Sequence, residues 1–485
     1  MSSSTTIKKN FAYSSILTIT GYIFPFITFP YVSRILGPEG IGEYNFANSV
    51  ISYFSIFAMM GINTIGIREI ARVKDNKSEL SRVFNSLLLL NFIATVISIL
   101  FLLLFIPIIS SFDAHKDYLY IGVSNILCGS LIIEWFYKGI EDFKYITIRS
   151  LVIRCVYVIS IFLFIKDSDD SLLYFLLTTL MTVINAVVNL LHARRHVFFS
   201  LKGIDFKPFL KSFFILGIYQ ILTSMYISFN VIYLGSVAND TAVGYYSVSV
   251  KLYTLLMSVF TAFTGVMLPR MSSILSQGSM DEFKELTTKS FDCLLLFSLP
   301  CIAIAEIYAP EIIRIVGGVG YEGSITPFRI IMPLMFIVGY EQIIIVQILT
   351  PLKKDVSILI NSLCGASVSL LLNILLVSNL QSVGSSIVWF ASELAVLVSA
   401  QRYVIKYVNY RMPVDKLLRA ILSLLPAVLI CLLLNKIDLN IYLNLIVGTC
   451  IVYISYSIIQ VFIFRNELIF HFADNIRSRF INMKK

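Results

Sequence analysis

Leu36–Arg72 reads LGPEGIGEYNFANSVISYFSIFAMMGINTIGIREIAR. It opens on a Gly/Pro turn, continues through about twenty mostly apolar residues, enough to cross a hydrocarbon core of about 30 Å as a helix, and closes on the charged cluster Arg68-Glu69-Ile70-Ala71-Arg72. Inside the apolar run, Asn45, Asn48, Ser52 and Ser55 recur at steps of 3, 4 and 3, which puts them on one helical face. The stretch therefore predicts a membrane-spanning helix with a polar stripe.

A related pattern returns later in the chain. Leu36-Gly37 and Ile41-Gly42-Glu43-Tyr44-Asn45-Phe46-Ala47 are echoed by Leu234-Gly235 and Val243-Gly244-Tyr245-Tyr246-Ser247-Val248-Ser249, and the second apolar run again ends on an arginine, Arg270. The chain reads as duplicated.

Composition sets the class. With 57% hydrophobic and 14% charged residues, the chain falls well below the roughly 25% charged residues of ordinary soluble domains. Fourteen apolar runs are long enough to cross a membrane, near 11–33, 42–63, 83–110, 118–138, 147–166, 171–191, 212–234, 243–268, 290–308, 325–349, 356–377, 383–401, 418–434 and 441–464. The first run is expected to be a retained helix rather than a signal peptide, because it continues to about Val32 without a small-residue cleavage site. All seven cysteines lie in apolar segments and none forms a C-x-x-C pair, so neither a disulfide framework nor a zinc site is expected.

Lys and Arg are concentrated in alternate connections. One set carries Arg68, Arg72, Lys74, Lys77 and Arg82; Lys138 and Lys144; Arg194, Arg195, Lys202, Lys207 and Lys211; Arg270, Lys284 and Lys289; Lys353 and Lys354; and Arg402, Lys406, Arg411, Lys416 and Arg419, together with the terminal cations. The opposite set carries only Arg34, Lys116, Lys166, Arg314 and Lys436. The positive-inside rule then places both termini in the cytoplasm. The +9 net charge needs no nucleic-acid partner to explain it.

The predicted fold is all-α with fourteen transmembrane helices. Residues 1–211 form a six-helix bundle, 212–410 a second, and 411–485 two further helices and a cytoplasmic tail. Because six is even, both repeats enter the membrane from the same side, so their pseudo-twofold axis runs along the membrane normal and the expected cleft lies between the bundles.

Polar groups in an apolar span need a partner or water. The expected cleft-lining set is Lys251, Arg154, Asn45, Asn48, Gln220, Asn230 and Arg34. The alternative for the Ser/Thr positions is helix-to-helix packing. Lys251 lies about 12 Å in from the outer end of its helix, with no acid within a turn, where a lysine costs about 2.5–3.5 kcal/mol to insert. It is expected to face water or an anion, with snorkelling to the surface as the alternative. Arg154 sits about 7.5 Å deeper than Arg149 and has a similar choice. Glu341 and Glu393 fall mid-span as candidate proton or cation carriers, or as partners of a neighbouring cation.

Other constellations point nowhere. His192 and His196 are spaced i,i+4, but Arg194 and Arg195 lie between them and no acid is near in sequence, so no metal is expected there. No phosphate-binding Gly-x-x-x-x-Gly-Lys-Ser/Thr loop and no Ser/His/Asp or Cys/His arrangement is present, so no enzyme and no cofactor is expected.

The Leu36-Gly37-Pro38-Glu39-Gly40 turn with Gly42 and Tyr44, the Arg68-Glu69 end of the second run, and Trp135-Phe136-Tyr137-Lys138-Gly139-Ile140-Glu141-Asp142-Phe143 resemble the polysaccharide transporters called Wzx-type O-antigen flippases. These belong to the superfamily of MATE drug exporters and lipid II flippases. The resemblance implies a MATE/MurJ-like fold in a bacterial inner membrane, acting on an undecaprenyl-diphosphate-linked oligosaccharide alongside the glycosyltransferases and polymerase of the same pathway. Family members often carry several deep cations, and here the deep ones are chiefly Lys251 and Arg154. A MATE-like antiporter of small molecules is the alternative. A glycan polymerase or lipid-linked glycosyltransferase would need an external catalytic loop that Ala309–Ser324 is too short to supply.

Overall fold

A backbone in hydrocarbon has no water to bond, so each N–H and C=O must be satisfied within its own segment or a closed sheet. The chain answers with helices: α1 (Ser2–Met59), α2 (Ile62–Val73), α3 (Lys77–Phe105), α4 (Ser110–Ala114), α5 (Lys116–Ser130), α6 (Glu134–Gly139), α7 (Phe143–Phe164), α8 (Ser171–Ala193), α9 (Lys207–Ser224) and α10 (Ser228–Val237). There follow α11 (Asp240–Ser276), α12 (Met280–Ile307), α13 (Ala309–Val316), α14 (Ile325–Ile331), α15 (Leu334–Gln342), α16 (Asp355–Leu372), α17 (Ser378–Val408), α18 (Val414–Leu434) and α19 (Ile441–Phe462). The computed structural model describes residues 2–200, 203–225, 228–435 and 440–464. Lys202, Lys436 and the cations of 465–485, which enter the charge asymmetry above, lie outside them, as does the side chain of Lys8.

Eleven described helices are long and apolar enough to cross a membrane, or twelve when α9 and α10 are taken as one bent span. Two of the eleven, at 12–73 and 355–408, each hold two of the fourteen expected runs. α1 alone has 58 residues, about 87 Å at 1.5 Å per residue, nearly three times the hydrocarbon core. Its continuity is broken only at Gly37 (φ 67, ψ −179). The expected Leu36–Gly40 turn is thus a single-residue kink: glycine supplies the positive φ without a Cβ clash, and Pro38 restarts the helix where its missing N–H costs nothing. In α17 the break is Gln381 (φ 47, ψ −123). The other end of the opening stretch also differs from expectation, because the helix stops at Met59 and the arginine cluster belongs to the separate 12-residue α2. Ile62, Ile65 and Ile70 of α2 are buried, whereas Arg68 and Arg72 are exposed.

Leucines on the outward helix faces are open, with Leu100 61%, Leu163 63% and Leu433 63% exposed. Such faces would aggregate in water and are at home in acyl chains.

Two compact units divide the chain. The first is Met1–Ser247 with Val316–Gly320 and Leu372–Ser385; the second is Val248–Ile315, Tyr321–Leu371 and Ser386–Lys485. This is a partition by packing, whereas the expected 1–211, 212–410 and 411–485 division follows the sequence repeat and its two added helices. In the first unit α1 packs against α3, α5, α7, α8 and α10. A core of Ile62, Ile65, Ile70, Phe84, Trp135, Phe136 and Tyr137 welds α2 and α6 to α3. In the second, α12 packs against α15, α18 and α19, and Lys416 of α18 pairs with Asp292 of α12 at 2.7 Å.

Candidate functional site

Two members of the expected stripe, and two hydroxyls of α11, are satisfied from within their own helices. Asn45 donates to the Ile41 carbonyl (2.8 Å), Ser55 to Ile51 (2.8 Å), Thr254 to Val250 (2.8 Å) and Ser258 to Leu255 (2.6 Å). A hydroxyl that donates to its own helix still has lone pairs to accept with, so these groups are stabilised in an apolar span without losing the capacity to receive a donor. Asn48 and Gln220 are half-buried. Asn230 is fully buried and donates to the Tyr246 hydroxyl and the Ser385 carbonyl, each at 2.9 Å, so it joins α10 to α11 and α17 and presents no surface in this conformation.

Arg154 is half-buried and turned onto α1, donating to the Leu17 carbonyl (3.0 Å) and the Thr20 hydroxyl (2.8 Å). Gly21 leaves room for its guanidinium, which would lie 3.5 Å from a Cβ there. Arg34 is exposed and lies over Gly318. Lys251 is half-buried in α11.

Glu341 and Glu393 are brought together. Their carboxyls are close enough for each to act on the other, and the Trp389 Nε1–H donates to Glu393 Oε1 at 2.9 Å. Glu393 is 5% exposed, and Tyr253 stands edge-on to Trp389 with ring centroids 5.0 Å apart. Beyond Gln342 the backbone widens into a π-helical segment, Ile343–Leu349, with Thr350 N–H bonded to the Ile345 carbonyl at 2.9 Å. Such segments are frequent at functional sites. Two carboxylates at this spacing repel unless a proton or a cation lies between them. The arrangement can bind one of these.

A second constellation escaped sequence reading. A Cβ on Gly42 would lie 1.8 Å from the Asp240 carbonyl oxygen, and one on Gly244 would lie 1.9 Å from the Pro38 carbonyl oxygen. Gly42 and Gly244 occupy matching places in the two repeats, so each repeat's glycine sits on the other's backbone. Around this reciprocal contact, His115 Nε2 lies 3.0 Å from Asp240 Oδ1 and its Nδ1 lies 2.8 Å from the Ser111 carbonyl. Ser111 and Ser236 hydroxyls are 3.1 Å apart. Both ring nitrogens of His115 face acceptors, which only the doubly protonated ring satisfies. Burial pulls the His115 pKa down, but the hydrogen bonds to Asp240 and Ser111 and the charges of Asp240 and Glu43 outweigh it and leave the pKa raised above 6.5. The repeat made Gly42 and Gly244 findable as equivalents; their seating on Asp240 and Pro38 was not.

An apolar groove of about 840 Å³ opens along α1, α3, α9 and α10, lined by residues including Tyr53, Phe57, Ile97, Phe101, Phe213 and Tyr233. The Trp135–Phe143 segment has a structural role: Trp135, Phe136 and Tyr137 are core, Glu134 pairs with Arg149 (2.9 Å) and Glu141 with Lys74 (2.9 Å). At the same junction, Asp142 approaches His192 and His196, so the acid that the local sequence lacks is supplied from another helix.

The family model described as polysaccharide biosynthesis protein matches residues 7–275, more than half of the chain. The chain belongs to that family. Among curated relatives, the "Putative O-antigen transporter" of Escherichia coli (strain K12) is 24% identical over 392 residues, covering 80% of this chain and 94% of the relative. A protein of the same name from Shigella flexneri is 26% identical over 341 residues, 66% of this chain and 80% of the relative. The structure is similar to the lipid II flippase MurJ in an inward closed conformation, with a TM-score of 0.75 at 15% identity over 92% of this chain and 98% of that one. It is also similar to an inward-facing multidrug resistance MATE transporter, with a TM-score of 0.60 at 12% identity over 82% and 99%. These two likenesses show the fold. This polysaccharide biosynthesis family member is an all-helical, multi-pass membrane protein with a MurJ/MATE-like fold.

Proposed function

We propose that this protein is a flippase that moves an undecaprenyl-diphosphate-linked oligosaccharide from the cytoplasmic to the outer leaflet of the inner membrane, by alternating access, for surface polysaccharide assembly. The observation that carries the reading is the family match over residues 7–275 together with similarity, over 80% of this chain, to a protein named for O-antigen transport. The chemistry of the chain agrees. A diphosphate is drawn by fixed cations as charge-assisted donors, and Lys251, Arg154 and Arg34 are the candidates. Sugar hydroxyls suit the amides of Asn45, Asn48 and Gln220. A polyprenyl tail remains in the bilayer, and the aromatic groove offers it an apolar wall. The reciprocal Gly42–Gly244 contact closes one end of the helix array, the outer end under the charge asymmetry of the connections, and its opening gives the second access state. The expected partners are the glycosyltransferases that supply the substrate and the polymerase that uses it.

The facing Glu341 and Glu393 supply the coupling-ion site in this scheme. They also favour the second reading, a MATE-like antiporter of small cations, because an acidic pair attracts positive substrates.

The test is a deletion strain, scored for lipid-linked oligosaccharide on each leaflet and for surface glycan. Accumulation on the cytoplasmic leaflet with loss of surface glycan, reversed by this gene, supports the flippase. Normal glycan and normal leaflet distribution, in a strain with no second flippase, refute it and move the antiporter forward.

A further inference from the structure

At the end of α8, His192 and His196 come together with Asp142, the residue that caps α7 by accepting from the Tyr145 N–H (3.2 Å). One ligand atom from each of the three lies within 4.8 Å of the others, and all three residues are half-buried. His192 Nε2 stands 3.8 Å from Asp142 Oδ2. That is too long for a hydrogen bond, but it is close to the roughly 3.4 Å between ligand atoms around a tetrahedral ion with bonds of about 2.1 Å.

The cluster is held from behind. The Tyr145 ring stacks on His192 with centroids 3.8 Å apart and planes 9° from parallel, and the Tyr145 hydroxyl donates to Asn189 Oδ1 at 3.0 Å. Stacking fixes the imidazole plane and leaves its nitrogen edge free to turn to Asp142. The α7 cap uses one carboxylate oxygen, Oδ1, and leaves Oδ2 toward the histidines. Phe136 and Tyr137 stand beside the two imidazoles, with ring centroids 6.1 Å from His196 and 5.7 Å from His192. Arg194 and Arg195, which argued against a cation in the linear sequence, are exposed, so water weakens, without removing, the repulsion that Arg195 exerts at His192.

We infer that Asp142, His192 and His196 form a binding site for a divalent transition metal, with water completing the coordination. Two imidazoles and one carboxylate suit Zn²⁺ and its neighbours, whereas Mg²⁺ and Ca²⁺ favour all-oxygen sets. The bound ion ties the end of α8 to the α6–α7 junction, where Glu141 already pairs with Lys74 beyond α2.

The test uses full-length protein in detergent with its affinity tag removed and metals stripped, titrated with Zn²⁺ against a chromophoric chelator and, in parallel, with Co²⁺. The expected result is one saturable Zn²⁺ per chain that excess Mg²⁺ does not displace, with the visible absorption of four-coordinate Co²⁺. His196→Gln and Asp142→Asn should each weaken binding by at least about tenfold. Zn²⁺ should raise the melting temperature of the wild type and leave both variants unmoved, which separates lost binding from lost folding. Absence of saturable binding to the wild type, or equal affinity in a folded Asp142→Asn/His196→Gln double variant, overturns the site.

Discussion

Adding one methyl group at Gly42 is the sharpest perturbation of the reciprocal contact. In Gly42→Ala the new Cβ would sit 1.8 Å from the Asp240 carbonyl oxygen, against an ordinary carbon-to-oxygen contact of about 3.3 Å. The two backbones must then part by about 1.5 Å. Overpacking of this kind costs about 1–3 kcal/mol, which at 1.36 kcal/mol per tenfold shifts the balance between closed and open ends by about five- to 150-fold toward open. Gly244→Ala meets the Pro38 carbonyl at 1.9 Å and should act alike. The double variant should cost less than the sum, because one separation relieves both clashes. Closure is read by disulfide formation between Ser111→Cys and Ser236→Cys, whose native hydroxyls are 3.1 Å apart, in a background without the seven native cysteines. Cross-linking should slow by the factor above in Gly42→Ala and stay unchanged in Gly265→Ala, where a Cβ meets nothing within 4 Å. Wild-type cross-linking in a folded Gly42→Ala protein would refute the reasoning.

Three further outcomes follow from the same geometry. The raised pKa of His115 means that its pair with Asp240 contributes stability fully below its unfolded value of about 6.5 and loses that contribution as pH rises through the folded value. His115→Gln should therefore lower the melting temperature at pH 6 and much less at pH 9; equal losses at both would count against the charged pair. Lys251→Arg should retain transport while Lys251→Gln, at equal expression, loses it, and normal transport by Lys251→Gln would remove the residue from the anion path. Glu393→Gln should abolish any acceleration of transport by an imposed proton or sodium gradient, and an unchanged response would exclude the Glu341–Glu393 pair as the coupling site.

Several candidate residues were legible because they break a local rule. A lysine or glutamate in an apolar span is conspicuous wherever it points, which is how Lys251, Glu341 and Glu393 were found. What it touches depends on other helices. Glu341 and Glu393 meet across residues far apart in the chain, and Asn230 proved to be a buried strut because Tyr246 and Ser385 converge on it. The Ser and Thr stripes were ambiguous in sequence because a hydroxyl can bond its own helix or a ligand, and most of those described bond their own helix. Trp135–Phe143 was recognisable as a motif, yet its residues serve packing and ion pairs at a helix junction.

The sequence by itself determined that this is a multi-pass helical membrane protein of duplicated design, since apolar runs of membrane length and a repeat pattern are local properties of the chain. It also marked a Gly/Pro turn at Leu36–Gly40, which the structure narrows to a kink at Gly37, where only the absence of a side chain permits the backbone angle. Tertiary structure decided what the duplication does, setting each glycine on the opposite repeat's carbonyl. It also decided which side chains become partners: His115 with Asp240, Glu341 with Glu393, and Asp142 with His192 of α8 and His196 in the turn that follows it. Those pairings depend on distances of a few ångströms between segments remote in sequence, set by how the helices pack.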